Sequence, residues 1–150
     1  MDYKDFLEKG LLKEEKIDFE QIANVVEKAR RKIKSAKTLI KDNDSEGGFQ
    51  MAYESMLLSG RALVFSHNLR PRALGSHKIV VDFCSLILGE KYKMLVYKFD
   101  KMRKQRNYLI YGINLSFSEV EAENAIKTAE EFIGKITEFI QHKNPQKKLV

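Results

Sequence analysis

The apolar residues of the chain recur at steps of three and four, which is the spacing of one helix face. One stripe follows Asp18 and consists of Phe19, Ile22, Val26, Ala29, Ile33, Ala36 and Ile40. Another follows Ser118 and consists of Ala122, Ala125, Ile126, Ala129, Phe132, Ile133, Ile136 and Ile140. Gln21 and Glu121 lie three residues after Asp18 and Ser118, as in a capping box. The pattern therefore predicts two long amphipathic helices that begin at these positions.

Three more helices are predicted between these two. The polar segment 41–48 ends in Gly-Gly and predicts a turn, and the helix after it should end before Pro71. The next helix should begin at Ser76 and end at Gly89, and another should cover residues 91–111 and end at Gly112. A brief charged helix is predicted over 2–8, and the tail after residue 142 should fray.

The order of these elements predicts the fold class. No segment shows the two-residue alternation of a half-buried strand, and short loops between long helices favour antiparallel neighbours. We expect an all-α, up-and-down bundle of four to five antiparallel helices. It should form a single domain over residues 1–150, with a core of about 18–141.

Composition agrees with a self-sufficient helical domain. The 150 residues are 43% hydrophobic and include only 2 Pro, and a chain of that length can bury a sizeable core. The single cysteine, Cys84, lies in an apolar run and is expected to be a core residue in a reducing compartment. We find no signal-peptide pattern and no membrane-length apolar run, so a cytoplasmic protein without membrane contact is expected. The net charge of +6 is compatible with a polyanionic partner.

The three histidines are not spaced for metal binding, and no Gly-rich phosphate loop is present, so neither a metal nor a cofactor is expected. The segment that suggests chemistry is 99–112. On a helix, Arg106 falls on the same line as the apolar residues Leu95, Phe99, Met102, Leu109 and Ile113. Arg103, Asn107 and Tyr111 are spaced four apart and form a polar strip beside that line.

Two interpretations of Arg106 remain open at this point. As a structural residue it could bind helix-end carbonyls or extend to the edge of the core, because an unpaired buried charge is costly. As a functional residue it would share a phosphate-binding cleft with Arg103, with Asn107 and Tyr111 as polar partners.

A second basic patch covers residues 70–78. It contains Arg70, Arg72, His77 and Lys78 in a loop at the start of a helix, where anions are attracted. These four residues are predicted to bind a ligand, although a histidine near a capping position is more often a structural hydrogen bonder.

Three features together resemble the HEPN domain, the nucleotide-binding helical domain of higher eukaryotes and prokaryotes. The third helix contains the segment MAYESMLLSGRAL at 51–63, and LRPR at 69–72 is followed by His77 and Lys78. The third feature is Arg103, then Arg106 with Asn107, and then Tyr111 before Gly112. The resemblance covers about residues 18–141.

The resemblance implies a four- to five-helix bundle that commonly dimerises. Many members are metal-independent ribonucleases and toxins that are paired with a minimal nucleotidyltransferase antitoxin. In their signature four to six residues separate the arginine from a histidine, whereas here four residues follow Arg106 and the next is Tyr111. The catalytic assignment of Arg106, Asn107 and Tyr111 follows the family pattern except at that histidine. Tyrosine has a pKa near 10 and is a poor base at neutral pH.

The leading hypothesis is therefore a HEPN-like module that binds a nucleotide, RNA or a nucleotidyltransferase partner, within a toxin–antitoxin system. An active metal-independent endoribonuclease and a non-catalytic dimerisation bundle are the alternatives. A homodimer is expected from the resemblance and from the apolar residues Val96 and Ile110, which lie outside the main stripe of their helix.

Overall fold

The computed structural model describes residues 2–73, 76–112, 116–145, 147 and 149. The elements in these residues are α1 (Tyr3–Glu8), β1 (Leu12–Glu14), α2 (Phe19–Lys41), α3 (Ser45–Ser66), β2 (Leu69–Pro71), α4 (His77–Leu88), α5 (Lys93–Ile110) and α6 (Glu119–Lys143). A 3-10 turn, Glu90–Tyr92, leads into α5. The predicted all-α helical bundle is confirmed.

The predicted helix ends are largely confirmed. The backbone N–H of Glu121 donates to Ser118 Oγ at 3.1 Å, and that of Asp18 donates to Gln21 Oε1 at 3.2 Å. Both capping boxes are complete. Gly89 has a φ of 76° and Gly112 a φ of 72°, which non-glycine residues rarely adopt. These local signals depend on a few neighbouring residues, and therefore the sequence specifies them.

Helix α3 lies at the centre of the bundle. It packs most extensively on α2 and α6, and it also contacts α4 and α5. It is buried on most of its surface, as expected for a helix without a polar face. The stripes of α2 and α6 are buried as predicted except for Phe19, which is only partly buried, and Ile33 and Ile133 are 8% and 5% exposed. Cys84 is fully buried in the core.

The predicted turn over 41–48 is wrong in its second half, because α3 already begins at Ser45. Asp44 accepts the Gly47 N–H at 2.8 Å and caps the helix. A Cβ on Gly48 would lie 2.6 Å from Ile40 Cγ1. The second glycine therefore permits close packing of α2 on α3. This is a tertiary effect, and in the sequence alone the two glycines resemble a turn.

The two short strands were not predicted. They form an antiparallel pair in which Leu12 lies opposite Pro71 and Lys13 opposite Arg70. Three residues are too few for alternation to be visible in a sequence. Beyond β2 the chain returns along α3, so that the contacts of His77 with Tyr53 and of Val80 with Gly60 run in the same order on both helices. Helices α3 and α4 are therefore parallel to each other. Helices α3 and α6 are parallel too, because Phe49 stacks on Phe117 at their N-terminal ends and Lys143 Nζ donates to the Ser66 carbonyl at 3.2 Å at their C-terminal ends.

Both ends of the chain pack on the bundle outside the predicted core of 18–141. Phe6 is 1% exposed and lies edge-on to Phe83 at 6.0 Å. Leu149 is 6% exposed, and its N–H donates to Gln141 Oε1 at 3.2 Å. The prediction that the tail frays is therefore wrong at Leu149, because this apolar residue finds a covered position. Among the described residues, no helix has the length and apolar character needed to cross a membrane.

Candidate functional site

A hydrogen-bonded pair joins the middle of the bundle to the first turn of α4. A Cβ on Gly60 would lie 2.5 Å from Val80 Cγ1 and 3.2 Å from Cys84 Sγ, so this glycine lets α3 and α4 approach closely. About two turns earlier on α3, the Tyr53 hydroxyl lies 2.9 Å from His77 Nδ1. The two rings are stacked with their centroids 5.8 Å apart. Tyr53 is fully buried and His77 is half-buried.

Helix α5 brings arginines to this pair. Its core-facing residues are buried as far as Met102, and Arg103 and Arg106 after them are only partly buried. The second half of α5 thus leaves the core, which is why Arg106 can lie on an apolar line of the helix without being a buried charge. Leu109 is only partly buried, and Ile113 lies outside the described residues.

The protonation states of the pair reflect burial and nearby positive charge. Burial raises the pKa of Tyr53 well above its usual value, against the opposing charges of Arg106, Arg103 and Arg61. Burial and the charges of Arg106, Arg61 and Arg103 lower the pKa of His77 to about 4. At neutral pH the tyrosine is therefore protonated and the histidine uncharged. We call Arg61, Arg103 and Arg106 the arginine cluster.

Asp100 is the carboxylate beside the arginine cluster. Arg103 Nε donates to it at 2.8 Å, and the Lys104 and Lys78 ammonium groups lie at 3.4 Å and 3.8 Å. Burial alone would raise the pKa of Asp100, but the hydrogen bond from Arg103 and these positive charges lower it. Asp100 is thus shared among three cations, and Arg106 and Arg61 are not among its partners.

The arrangement is suited to holding an anion. The Tyr53 hydroxyl can donate to His77 Nδ1, in which case Nε2 carries the ring proton and is a further donor. Guanidinium groups bind phosphate or carboxylate oxygens with two parallel hydrogen bonds. Burial lowers the pKa of Arg61, while Tyr53 and Glu54 raise it. A bound anion would favour the charged forms of Arg61 and His77.

The structure brings several predicted site residues together. Arg103 and Arg106 act on His77 electrostatically, although they come from separate segments of the sequence. Lys78 joins them through Asp100. Asn107 is partly buried, and its carbonyl accepts the Tyr111 N–H at 3.1 Å, an interaction that ends α5.

Three other predicted residues are placed elsewhere. Arg70 lies on β2 and is paired with Glu15 at 3.2 Å. Arg72 is exposed, and its N–H donates to the Leu11 carbonyl at 3.1 Å. Tyr111 caps α5 and is 79% exposed. Within the described part of the chain, no hydrogen bond or ion pair connects these three side chains to the arginine cluster.

Sequence reasoning missed Arg61 and the role of Tyr53. The signal for Arg61 was the same as that for Arg106, since it is a single basic residue in the otherwise apolar or small segment 59–65. For Tyr53 the signal was a tyrosine on the buried side of a helix, where the hydroxyl requires a partner. Among the residues described, no group of three or more His, Cys, Asp or Glu could hold a metal ion.

These features define a helical-bundle domain with a positively charged cluster built around a neutral histidine. A family model of the HEPN domain matches residues 22–139. The chain therefore belongs to the HEPN domain family, as the sequence resemblance predicted. Neither a curated protein nor a solved structure matches it. Membership of this family makes it a nucleotide- or RNA-related helical module.

Proposed function

We propose that the arginine cluster binds the phosphate groups of a nucleotide or RNA. The observation that supports this most directly is the charge balance around His77. Three arginines from α3 and α5 act on the Tyr53–His77 pair. Of the two carboxylates that act on these arginines among the described residues, Asp100 is already shared among three cations and Glu54 is paired with Lys32 at 3.4 Å. Such an excess of positive charge on partly buried groups is relieved when an anion binds.

The first test is the affinity for a fluorescein-labelled RNA 12-mer, measured by fluorescence anisotropy at several salt concentrations. Arg106→Gln and Arg61→Gln should each weaken binding about tenfold or more, because each removes a charge-assisted hydrogen bond. Each should also make the dependence of log K on log salt shallower by about 0.7. Arg31→Gln is the matched control, since Arg31 is exposed on α2. Equal effects of all three variants would show that net charge, and not the cluster, accounts for binding.

The second test separates this proposal from a structural role for Arg106. Because Arg106 is only partly buried, Arg106→Gln should change the free energy of unfolding by less than about 0.5 kcal/mol. A loss of several kcal/mol in urea unfolding, with RNA affinity unchanged, would favour the structural interpretation instead.

A metal-independent ribonuclease is the second candidate, and one observation favours it. Tyr111 occupies the signature histidine position, but His77 supplies an imidazole beside Arg103 and Arg106 from another helix. With a pKa of about 4 the free imidazole is a weak base, and a bound phosphate would raise that pKa. RNA cleavage in EDTA that is lost in both His77→Gln and Arg106→Gln would support an enzyme. We expect weak or no cleavage by the wild type.

We also propose, on the strength of the family alone, that a minimal nucleotidyltransferase is the partner in a toxin–antitoxin pair. A nucleotidyltransferase reading frame beside this one should encode a protein that co-purifies with this chain. Failure of the two purified proteins to associate at micromolar concentration would contradict this proposal.

A further inference from the structure

Helix α5 presents a row of large side chains to solvent on the side opposite its core face. Tyr97 is 59% exposed, Tyr108 51% and Met94 61%. The inner side of the same helix is buried through Leu95, Val96, Phe99 and Met102. Single exposed apolar residues are common, but large aromatic residues aligned along one helix are not required by the fold.

Two lysines lie between these two tyrosines on the same side of the helix. At ~100° per residue, Tyr97 and Tyr108 project within about 20° of each other, and Lys101 and Lys104 lie within about 40° of them. Lys101 is exposed, and the Lys104 side chain is 63% exposed. We call Tyr97, Lys101, Lys104 and Tyr108 the tyrosine face.

The charge of α5 indicates the kind of partner that this face fits. The helix carries six basic residues and one acidic residue, Asp100, and Lys104 contributes to neutralising that carboxylate. A second copy of the chain placed on the tyrosine face would bring Lys101 and Lys104 towards other lysines, and lysine is depleted from protein interfaces. A polyanion with flat, apolar groups matches both the charge and the aromatic rings.

We propose that the tyrosine face binds single-stranded nucleic acid, with bases stacked on Tyr97 and Tyr108 and phosphates near Lys101 and Lys104. The two tyrosines are eleven residues apart, about 16 Å along the helix. That distance corresponds to about five stacked nucleotides at ~3.4 Å each. Aromatic stacking combined with a basic surface is how single strands are held without sequence readout, and a duplex does not expose its base faces.

The tyrosine face borders the arginine cluster at Arg103, whereas Arg106 projects about 160–180° away from Tyr97 and Tyr108 around α5. Lys104 and Arg103 contact the same carboxylate, Asp100, at 3.4 Å and 2.8 Å. A strand that lies along the tyrosine face can therefore place a phosphate near Arg103, and it must bend around α5 to reach Arg106. This inference rests on the proposed function, because it assumes that the arginine cluster binds phosphate. It adds that the ligand is single-stranded and that a second surface of the protein contacts it.

The experiment compares a labelled uridine 12-mer, its duplex with an adenosine 12-mer, and uridine monophosphate. Tyr97→Ala and Tyr108→Ala should each weaken 12-mer binding at least fivefold, whereas Tyr97→Phe and Tyr108→Phe should bind like the wild type, because phenylalanine also stacks. Tyr3→Ala is the matched control, since Tyr3 is an exposed tyrosine on α1. The double variant Lys101→Ala/Lys104→Ala should make the salt dependence shallower by about 1.4 in log K against log salt, with Lys28→Ala/Lys34→Ala on α2 as its control.

The outcomes separate this inference from the proposed function. Full 12-mer affinity in both tyrosine-to-alanine variants, with binding still lost in Arg106→Gln, would overturn the inference and leave the proposed function intact. Equal affinity for the single strand and the duplex would also overturn it. If light scattering shows that Tyr97→Ala/Tyr108→Ala no longer dimerises while its RNA affinity is unchanged, the tyrosine face would be assigned to self-association instead. Binding that Arg106→Gln and Arg61→Gln leave unchanged would contradict the proposed function.

Discussion

The hydrogen bond between Tyr53 and His77 joins two helices through groups whose charge state depends on burial. Tyr53 keeps its proton because a phenolate would be buried, and His77 stays neutral because burial and three arginines oppose a further positive charge. The free energy of unfolding should therefore respond to pH and to substitution of either side chain. Both sensitivities can be measured in the free protein without knowledge of the ligand.

The first prediction at this scale concerns pH. The pKa of His77 is about 4 in the folded chain and near 6.5 in the unfolded chain. Stability from this depressed pKa is fully present above about pH 6.5 and is lost as pH falls towards 4, because the unfolded state binds the proton first. Between pH 7.5 and 4.5 the wild type should lose roughly 1–3 kcal/mol more than His77→Gln does.

Urea unfolding at the two pH values measures that difference directly. The comparison with His77→Gln is necessary because burial also lowers the pKa of His67, which destabilises both proteins in the same range. An identical pH dependence in wild type and variant would mean that His77 titrates normally.

The second prediction concerns the tyrosine hydroxyl. Tyr53→Phe removes the partner of His77 Nδ1 while it keeps the aromatic packing in the core. The free energy of unfolding should fall by about 1–3 kcal/mol, since a partly buried polar nitrogen is left unpaired. Tyr108→Phe is the control and should change stability by less than about 0.5 kcal/mol, because that side chain is half exposed. Equal stabilities of the two variants would contradict the structural role given to the hydroxyl.

Individual site residues could be inferred from the sequence, but the distances between them could not. Arg106 was found because it interrupts an apolar stripe, and His77 because it lies in a basic loop. Their proximity depends on how α4 packs on α3, which in turn depends on Gly60 and on the return of the chain after β2. Such long-range contacts leave no local periodicity in the sequence.

At the scale of elements, two helical glycines provide a matched pair for a prediction. A Cβ on Gly48 would lie 2.6 Å from Ile40 Cγ1, whereas one on Gly134 in α6 would have nothing within 4 Å. Gly48→Ala should destabilise the protein by about 1–3 kcal/mol through overpacking. Gly134→Ala should stabilise it by about 0.5–1 kcal/mol, because alanine favours the helix. Thermal unfolding should show a lower melting temperature for Gly48→Ala and a higher one for Gly134→Ala. A higher melting temperature for both variants would contradict the close packing of α2 on α3.

A further prediction tests the helix registers of α2 and α6. Ile33 and Ile133 are buried in the middle of their stripes. Each substitution to alanine should lower the free energy of unfolding by about 2–5 kcal/mol, measured with urea. A cost below ~0.5 kcal/mol at both positions would contradict the registers. The registers themselves were predictable, because a long amphipathic helix repeats its signal over many turns, whereas β1 and β2 have three residues each.

At the scale of the whole molecule, a homodimer stays a prediction. Of the two residues that suggested it, Val96 is buried within the chain and cannot contribute, while Ile110 is 47% exposed. Multi-angle light scattering at high micromolar concentration should give twice the mass of the 17.4 kDa chain. A monomer under these conditions would contradict the expectation from the family, and Ile110→Asp should dissociate the dimer if its interface includes this end of α5.

The β1–β2 pair has a consequence for how the chain can be shortened. The family match begins at residue 22, after β1, so a protein trimmed to the matched region would lose the strand that pairs with β2. Phe83, which is 0% exposed, would lose its edge-on contact with Phe6, and β2 would become a free edge strand. Free edges with adjacent apolar surface pair with other molecules. The trimmed protein should therefore aggregate, and the start of α4, which carries His77, should lose its fixed position against α3.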